Sequence, residues 1–233
     1  VLDRGPLARE SSWAGAGILS PPPAEADSDD DRLRIASYHA FPDLARRLLD
    51  STGVDVGLRD TGGVQLAYDD GEVEDLEDAC RQWTVEKIPF ERIDGEALRR
   101  REPRLKRAPA SAAFLPGVRQ VRNPRFVRAL ECACRLHGVA LRPHQEVVGL
   151  PGDGETAAGV RLADGAILRA DAVVVAAGAW AARFLELSGA PAPIFPVRGQ
   201  IVAYQTTGHL VQHVVEVGRR YLVPRDDGLV QIG

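Results

Sequence analysis

The sequence contains no methionine in 233 residues. It therefore carries no initiator residue, and it opens on Val1-Leu2-Asp3 as though already inside a strand. Gly228 to Gly233 reads as a strand without a polar tail, so the expectation is an internal segment lacking both ends of a longer chain. Cysteine is scarce and odd in number, at Cys80, Cys132 and Cys134. A Cys-x-Cys step on a helix sends its side chains roughly 200° apart, which argues against a disulfide framework or a shared metal. Three scattered thiols suit a reducing cytoplasm. Long apolar runs are absent too: residues 172–178 fall far short of the ~20 residues a bilayer demands, and the first residues lack the pattern of a secretory leader. Charge of one sign is missing, with 29 basic against 33 acidic residues, so nothing directs the chain to nucleic acid or an anionic membrane. The expectation is a cytoplasmic protein with no nucleic acid, no membrane and no metal.

What is present is ordinary globular composition, 45% hydrophobic and 27% charged, enough for one large domain or two small ones. Pro6 to Gly17 and Ser20 to Asp31 read as loop. Leu33, Ile35, Phe41, Leu44, Leu48 and Leu49 keep near-helical spacing and predict a helix from about Asp31 to Gly53, with the glycine as C′ residue. Val54 to Leu58 and Gly63 to Tyr68 alternate like strands around Asp60-Thr61-Gly62-Gly63 and predict a hairpin. Helices follow over Glu72 to Trp83 and from Asp94 toward Pro103, then a strand over Ala110 to Leu115. Asn123-Pro124 predicts a capped helix running to Gly138.

Beyond it the pattern predicts short strands over Val139 to Leu141 and Glu146 to Leu150 and a turn over Pro151 to Glu155. Gly159 to Leu162 and Ile167 to Arg169 then flank an Asp164-Gly165 hairpin turn. Ala172 to Ala177 is apolar without alternation, ends at Gly178 and leads into a helix from Trp180 to Leu187. That pattern predicts a buried parallel strand of an α/β sheet, beside the Val1-Leu2 stub. Gly199 to Tyr204, Val211 to Val217, Arg220 to Pro224 and Leu229 to Ile232 read as strands, expected to join the first hairpin in a separate antiparallel sheet. The fold class is α/β.

Glycine loops bring backbone amides close to phosphates and flat cofactors. Gly15-Ala16-Gly17 starts like a dinucleotide fingerprint, but the third glycine would fall at Ser20. Gly178 sits at the carboxyl end of the expected buried strand, where open α/β sheets bind ligands, and reads equally as a plain strand-to-helix turn. Asp3 follows a short apolar stub, as does the acid that accepts a ribose hydroxyl in nucleotide-binding units, although alone it reads as a surface acid. Asp27, Asp29 and Asp31 alternate like a calcium loop, yet its glycine and glutamate positions hold Arg32 and Tyr38. His209 and His213 lie in a strand-like stretch, ~13 Å apart if extended, and read as a solvated loop or strand face. Arg99, Arg100 and Arg101 read as a solvated helix face.

In order and spacing, a series of motifs resembles the FAD-dependent D-amino acid oxidase superfamily, most closely its glycine oxidase branch, which serves thiamine biosynthesis. The series is Val1-Leu2-Asp3-Arg4-Gly5, Ser11 to Leu19, Gly53-Val54-Asp55-Val56, Thr61-Gly62-Gly63, Gln120 to Arg125, Ala172 to Trp180, Pro196 to Gln200 and Tyr221-Leu222-Val223-Pro224-Arg225. The resemblance implies a Rossmann-like parallel sheet with a β-meander, plus an antiparallel-sheet substrate domain. Residues 1–52 and 123–190 would form the FAD-binding domain, and 53–122 and 191–233 the substrate domain.

The resemblance further implies Asp3 as ribose acceptor, Ser11 and Ser12 as pyrophosphate donors, and Ala16, Gly17 and Ile18 as lining near the isoalloxazine. Val147 would meet the adenine side through its backbone, Ala177 and Gly178 would pass close to the cofactor, and Tyr221 would face the substrate. The glycine fingerprint and the carboxylate-binding arginine would lie outside this stretch, leaving it inactive alone. The implied reaction is oxidation of a small amino acid to an imine, its hydrolysis to an oxoacid and ammonia, and reduction of oxygen to hydrogen peroxide. The implied partners are that substrate, oxygen and a second copy in a homo-oligomer. Alternatives are a sarcosine or D-amino acid oxidase or dehydrogenase of the same superfamily, or a flavin-free interaction module.

Overall fold

The structure is a computed structural model that describes residues 1–152, 158–187 and 193–233. In chain order its elements begin with α1 (Ser11–Ala14), β1 (Ile18–Leu19), α2 (Asp29–Thr52), β2 (Gly63–Ala67), α3 (Asp70–Val85), β3 (Glu91–Arg92) and α4 (Gly95–Arg101). Next come β4 (Ser111–Leu115), β5 (Arg119–Gln120), α5 (Asn123–Leu136), β6 (Val147–Gly149), β7 (Gly159–Leu162) and β8 (Ile167–Arg169). A 3-10 turn (Gly178–Trp180) leads into α6 (Ala181–Leu187), and β9 (Val202–Gln205), β10 (Val214–Val217), β11 (Arg220–Pro224) and β12 (Leu229–Ile232) follow. The chain divides into two compact units, one of Gly15–Leu130 with Gln200–Gly233 and one of Val1–Ala14 with Glu131–Gly199.

The larger unit is built on a seven-stranded sheet of order β3-β4-β2-β10-β11-β12-β9. Its pairings are antiparallel except β2 with β10, which run parallel. Side chains alternate across the sheet, so each strand feeds two interiors. Val64, Leu66, Ala112, Val215 and Leu222 pack on one face with Leu98 of α4. Gly63, Gln65, Ala67, Ala113, Leu115, Val214, Glu216, Tyr221 and Val223 share the other by register. There Leu115, Val118, Val214 and Val223 form one buried cluster, and Ala67 and Ala113 meet Leu76 and Cys80 of α3 in another. Burying a valine completely, as at Val64, Val214 and Val223, contributes about 1.5–3 kcal/mol each.

The helices of this unit carry their own start and stop signals. Ser28 accepts from the Asp31 amide at 3.1 Å, with acids at Asp29, Asp30 and Asp31 in the first turn of α2, where the helix dipole favours them. Gly53, at φ 70°, closes that helix through a 2.8 Å bond to the Leu49 carbonyl. Asp69 accepts from the Glu72 amide, and the Glu72 carboxylate reaches back to the Tyr68 amide, each at 2.9 Å, so two amides at the start of α3 are satisfied together.

The smaller unit carries the meander β6-β7-β8, antiparallel throughout. Its N-terminal stub adds one parallel bridge, Leu2 to Arg142. The α/β class stands, with a meander and a separate, mostly antiparallel sheet that gathers β2 with β9 to β12.

Three local expectations are corrected. Residues 54–58 do not form a hairpin with 63–68. Gly57 sits at φ 70° and its amide is held by Asp55 Oδ1 at 2.8 Å, which breaks the alternation before a ladder can form. The neighbours of β2 are instead β4 and β10. Residues 139–141 form no strand, since Gly138 at φ 73° and His144 at φ 56° bend the backbone on either side. Ala172 to Ala177 forms no regular element and pairs with no strand among the described residues, and Val174 is 88% exposed. An apolar run becomes a buried strand only where neighbouring strands take up its amides and carbonyls. The expected turn after Pro151 falls mostly on residues 153–157, outside the described residues.

Candidate functional site

In the smaller unit, Asp3 follows the bridge at Leu2. Its amide donates to the Arg142 carbonyl at 3.1 Å, while its carboxylate accepts from the Gly5 amide at 3.0 Å and the Ala8 amide at 2.9 Å. Ala8 takes φ 50° to complete this turn. The carboxylate is thus fixed by backbone and keeps lone pairs for a further donor. Ser11 and Ser12 open the short helix α1 and are exposed. Val147 pairs with Leu162 at a register shift in the meander. Ala177 and Gly178 lead into the 3-10 turn, where the Trp180 amide donates to the Ala177 carbonyl at 3.1 Å. Gly178 has φ 52°, and a Cβ there would meet nothing within 4 Å. Such an open left-handed position admits a flat ring against the backbone.

In the larger unit the structure brings Ala16, Ile18 and Tyr221 together: all three pack against the buried cluster of Ile88, Leu115, Val118, Val214 and Val223. Gly17 between them has φ 71°, and a Cβ there would collide with the Val121 carbonyl oxygen, so only glycine fits. Its own carbonyl accepts from the Val121 amide at 2.8 Å. Tyr221 pairs with Glu216 on β10, and its backbone amide donates to the Gly233 carbonyl at 2.8 Å. The ring leans over Gly233, where a Cβ would strike the ring and hydroxyl. As period 2 predicts, Tyr221 and Val223 share this face and Leu222 packs on the other.

Arg225 holds the arrangement from beneath. Only 6% exposed, it donates to the Ala16 carbonyl at 2.6 Å, Gln120 Oε1 at 2.7 Å, the Val121 carbonyl at 3.1 Å and the Gln231 side chain. Burial, and then the neighbouring Arg122 charge, push its pKa down to about 10. A cavity of about 230 Å³ beside it is lined by Arg59, Arg122, Arg125, Arg225, Asp226 and Asp227. Its charges are largely spent internally: Arg59 pairs with Asp226 at 2.8 Å, and Arg122 pairs with Asp227.

Sequence reasoning gave Arg225 no role of its own, although an arginine two positions after Val223 on a strand's inner face is the available signal. It missed Glu102 entirely. That carboxylate is 1% exposed and accepts from the Gln212 amide at 2.9 and 3.0 Å and the His213 amide at 2.7 Å, with His213 Nδ1 at 2.8 Å. An acid just before Pro103 was the clue, because that position leaves the helix and frees the side chain to turn inward. The reading of His213 as a solvated residue is corrected by this contact and by Phe114, 5.4 Å from it between ring centroids.

A family model of FAD dependent oxidoreductases matches residues 1–233. The glycine oxidase of Pseudomonas putida is 37% identical over 235 residues, covering 100% of this chain and 63% of its own length. That of Pseudomonas aeruginosa is 34% identical, again over 100% of this chain and 63% of its own. The crystal structure of glycine oxidase from Geobacillus kaustophilus superposes with a TM-score of 0.89 at 30% identity, over 100% of this chain and 63% of that one. The chain therefore spans somewhat under two thirds of the length of the relatives it matches. The residues present fit such a cofactor: Asp3 offers a held acceptor, and Gly178 an open backbone.

Proposed function

The chain belongs to the FAD dependent oxidoreductase family, and from that premise we propose that the complete protein oxidises a small amino acid, glycine first, to its imine. The imine hydrolyses to oxoacid and ammonia, and oxygen leaves as hydrogen peroxide. The observation that carries this reading is the likeness to a glycine oxidase structure along the whole chain, with a TM-score of 0.89. Residues 1–52 and 123–190 serve as the FAD-binding domain and 53–122 and 191–233 as the substrate domain.

When bound, FAD supplies the two-electron oxidation of the substrate's carbon–nitrogen bond. Asp3 accepts from the ribose, Ser11 and Ser12 donate to the pyrophosphate, and Val147 meets the adenine side. Ala16, Gly17 and Ile18 line the ring. Ala177 and Gly178 let the chain pass close to the cofactor. Arg225, through the Ala16 carbonyl, fixes where that lining stands. Tyr221, whose hydroxyl has no hydrogen bond among the described residues, donates to the substrate carboxylate. The reading includes a part in thiamine biosynthesis, which the resemblance to the glycine oxidase branch supports, together with a cytoplasmic location and a homo-oligomer as the working form.

Oxygen uptake and peroxide release by the complete protein with glycine, sarcosine and D-alanine test the reading. Glycine turnover by a stoichiometrically flavinylated protein is expected; absence of flavin, or of turnover with all three, overturns it. Tyr221→Phe should raise KM for glycine roughly 5- to 30-fold at unchanged flavin content, the loss of one hydrogen bond to a charged group, ~1–2 kcal/mol. Unaltered kinetics would leave Tyr221 a sheet residue.

A further inference from the structure

The cavity beside Arg225 carries more positive charge than its own acids absorb. The four guanidinium groups of Arg59, Arg122, Arg125 and Arg225 stand in its wall against the two carboxylates of Asp226 and Asp227, a surplus of two charges. Asp55, which shares Arg59 with Asp226, offsets one of them from outside the wall. What remains is unevenly held. Arg59 is spent, since its three nitrogens donate to Asp55, Asp226 and the Leu58 carbonyl. Arg122 donates from Nη1 to Asp227, and its Nε and Nη2 have no partner among the described residues. The exposed Arg125 side chain makes no hydrogen bond or ion pair among the described residues, although the Asp55 charge reaches it.

Arg225 supplies the buried part of the same wall. It is 6% exposed, and its two terminal nitrogens are taken by Ala16, Gln120, Val121 and Gln231. Its Nε is buried with no hydrogen-bond partner. A buried donor without an acceptor is costly, and the chain offers this one none among the described residues. Burial first, and the Arg122 charge second, hold the Arg225 pKa down, so positive charge in this corner repels itself.

The backbone builds the corner deliberately. Gly57, at φ 70°, brings the chain close to Arg122, whose amide donates to the Val56 carbonyl at 2.9 Å. A Cβ at Gly57 would stand 3.3 Å from that of Arg122. Arg122 is the last residue before α5, and its carbonyl accepts from the Arg125 amide at 2.9 Å, which places the two arginines within one turn. The first turns of α2, α3 and α4 carry acids, whereas that of α5 carries none and holds Arg125 instead. Cations at a helix N-terminus oppose its dipole, so an anion there relieves both the dipole and the arginines.

We propose that this cavity binds a phosphate group, free or carried by a small molecule, through Arg122 and Arg125 at the start of α5, with Arg225 completing the positive wall. Phosphate suits it better than carboxylate because the unspent donors come from separate arginines. A tetrahedral dianion presents oxygens to several sides, whereas a planar carboxylate is filled by one fork. At about 230 Å³ the cavity takes a phosphate with a short organic substituent, given ~30 Å³ for each water displaced.

The test uses the complete, FAD-loaded protein, in which the cofactor keeps phosphate out of its own pyrophosphate contacts. Inorganic phosphate is the probe, with ionic strength held constant by sodium chloride. Saturable binding by calorimetry is expected, with a Tm that rises with phosphate concentration. Arg125→Gln should weaken phosphate roughly 5- to 15-fold, the loss of one charge-assisted contact, at an unchanged Tm without phosphate. Arg122→Lys keeps a charge opposite Asp227 but loses the fork, and should weaken binding to a similar degree. Arg128→Gln, further along α5 and outside the wall, should bind phosphate as the wild type does. Methyl phosphate distinguishes the sources: tighter binding than inorganic phosphate assigns the site to phosphomonoesters, and equal or weaker binding to the free ion. Absence of saturable phosphate binding, an unmoved affinity in Arg125→Gln, equal weakening in Arg128→Gln, or acetate binding as tightly as phosphate overturns the proposal. If Arg122→Lys failed to fold, Arg125→Gln would decide alone.

Discussion

The two units of the chain treat hydrophobic sequence in opposite ways. In the larger unit Val64, Val214 and Val223 vanish between a sheet and its covering helices, and the buried clusters at the heart of the fold are drawn from it. In the smaller unit an equally apolar stretch, Ala172 to Ala177, joins no ladder among the described residues, with Val174 88% exposed. Composition is alike in both; hydrogen-bonding neighbours are not. The central strands β2 and β10 are each flanked on both sides, and flanking lets a strand hide both rows of side chains without stranding its amides. Hydrophobicity nominates a strand and the ladder decides whether it is buried.

The difference is open to direct attack. The largest effect is expected at Leu66, 3% exposed: Leu66→Ala should cost about 2–5 kcal/mol by chemical denaturation. Val174→Ala should cost below about 0.5 kcal/mol. Equal costs would break the contrast. Polar residues sharpen it. Glu102→Gln leaves an amide NH2 where Oε2 now shares the Gln212 amide proton with Oε1, and should cost about 1–3 kcal/mol. Asp164→Asn, in an exposed turn of the smaller unit, keeps the acceptor for the Ala166 amide and should change stability by less than about 0.5 kcal/mol. Between these extremes lies Gly178→Ala. With open space around it, only the left-handed backbone is penalised, about 1 kcal/mol. A cost several times larger would mean the position is packed, contrary to its surroundings here.

Much of this architecture is legible in sequence where local chemistry is decisive. The helix α2 is announced by its apolar spacing and by Gly53 at its end, although its start, capped by Ser28, falls inside the expected loop, and the β7–β8 turn is announced by Asp164-Gly165. The partner of β2 is not legible, because Gly57 and Asp55 cancel the hairpin within five residues while the true neighbour, β10, lies far along the chain. On the candidate site, Tyr221 and the Ala16 to Ile18 loop come from a recognisable series of motifs. Glu102, Glu216 and Arg225 do not, since a charged residue reads as surface until its buried partners are known. Glu102 and Glu216 find those partners more than 100 positions away, as Arg225 finds Gln120 and Ala16, so a local window holds a hint of the residue and not of its contacts.

The parallel join between β2 and β10 links Gln65 to Glu216 across 151 positions of sequence, and that distance has a meaning in time. A ribosome adds about 5–20 residues per second, so β2 leaves it roughly 8–30 seconds before its permanent neighbour exists. For the later part of that interval, once β4 has been made, one edge of β2 is held by it and the other offers bare amides and carbonyls to any passing strand. The nascent protein must therefore survive with its sheet half zipped. Whatever shields that edge on the way out, a chaperone or a transient non-native strand, will govern how much of the chain reaches its folded form in the cell.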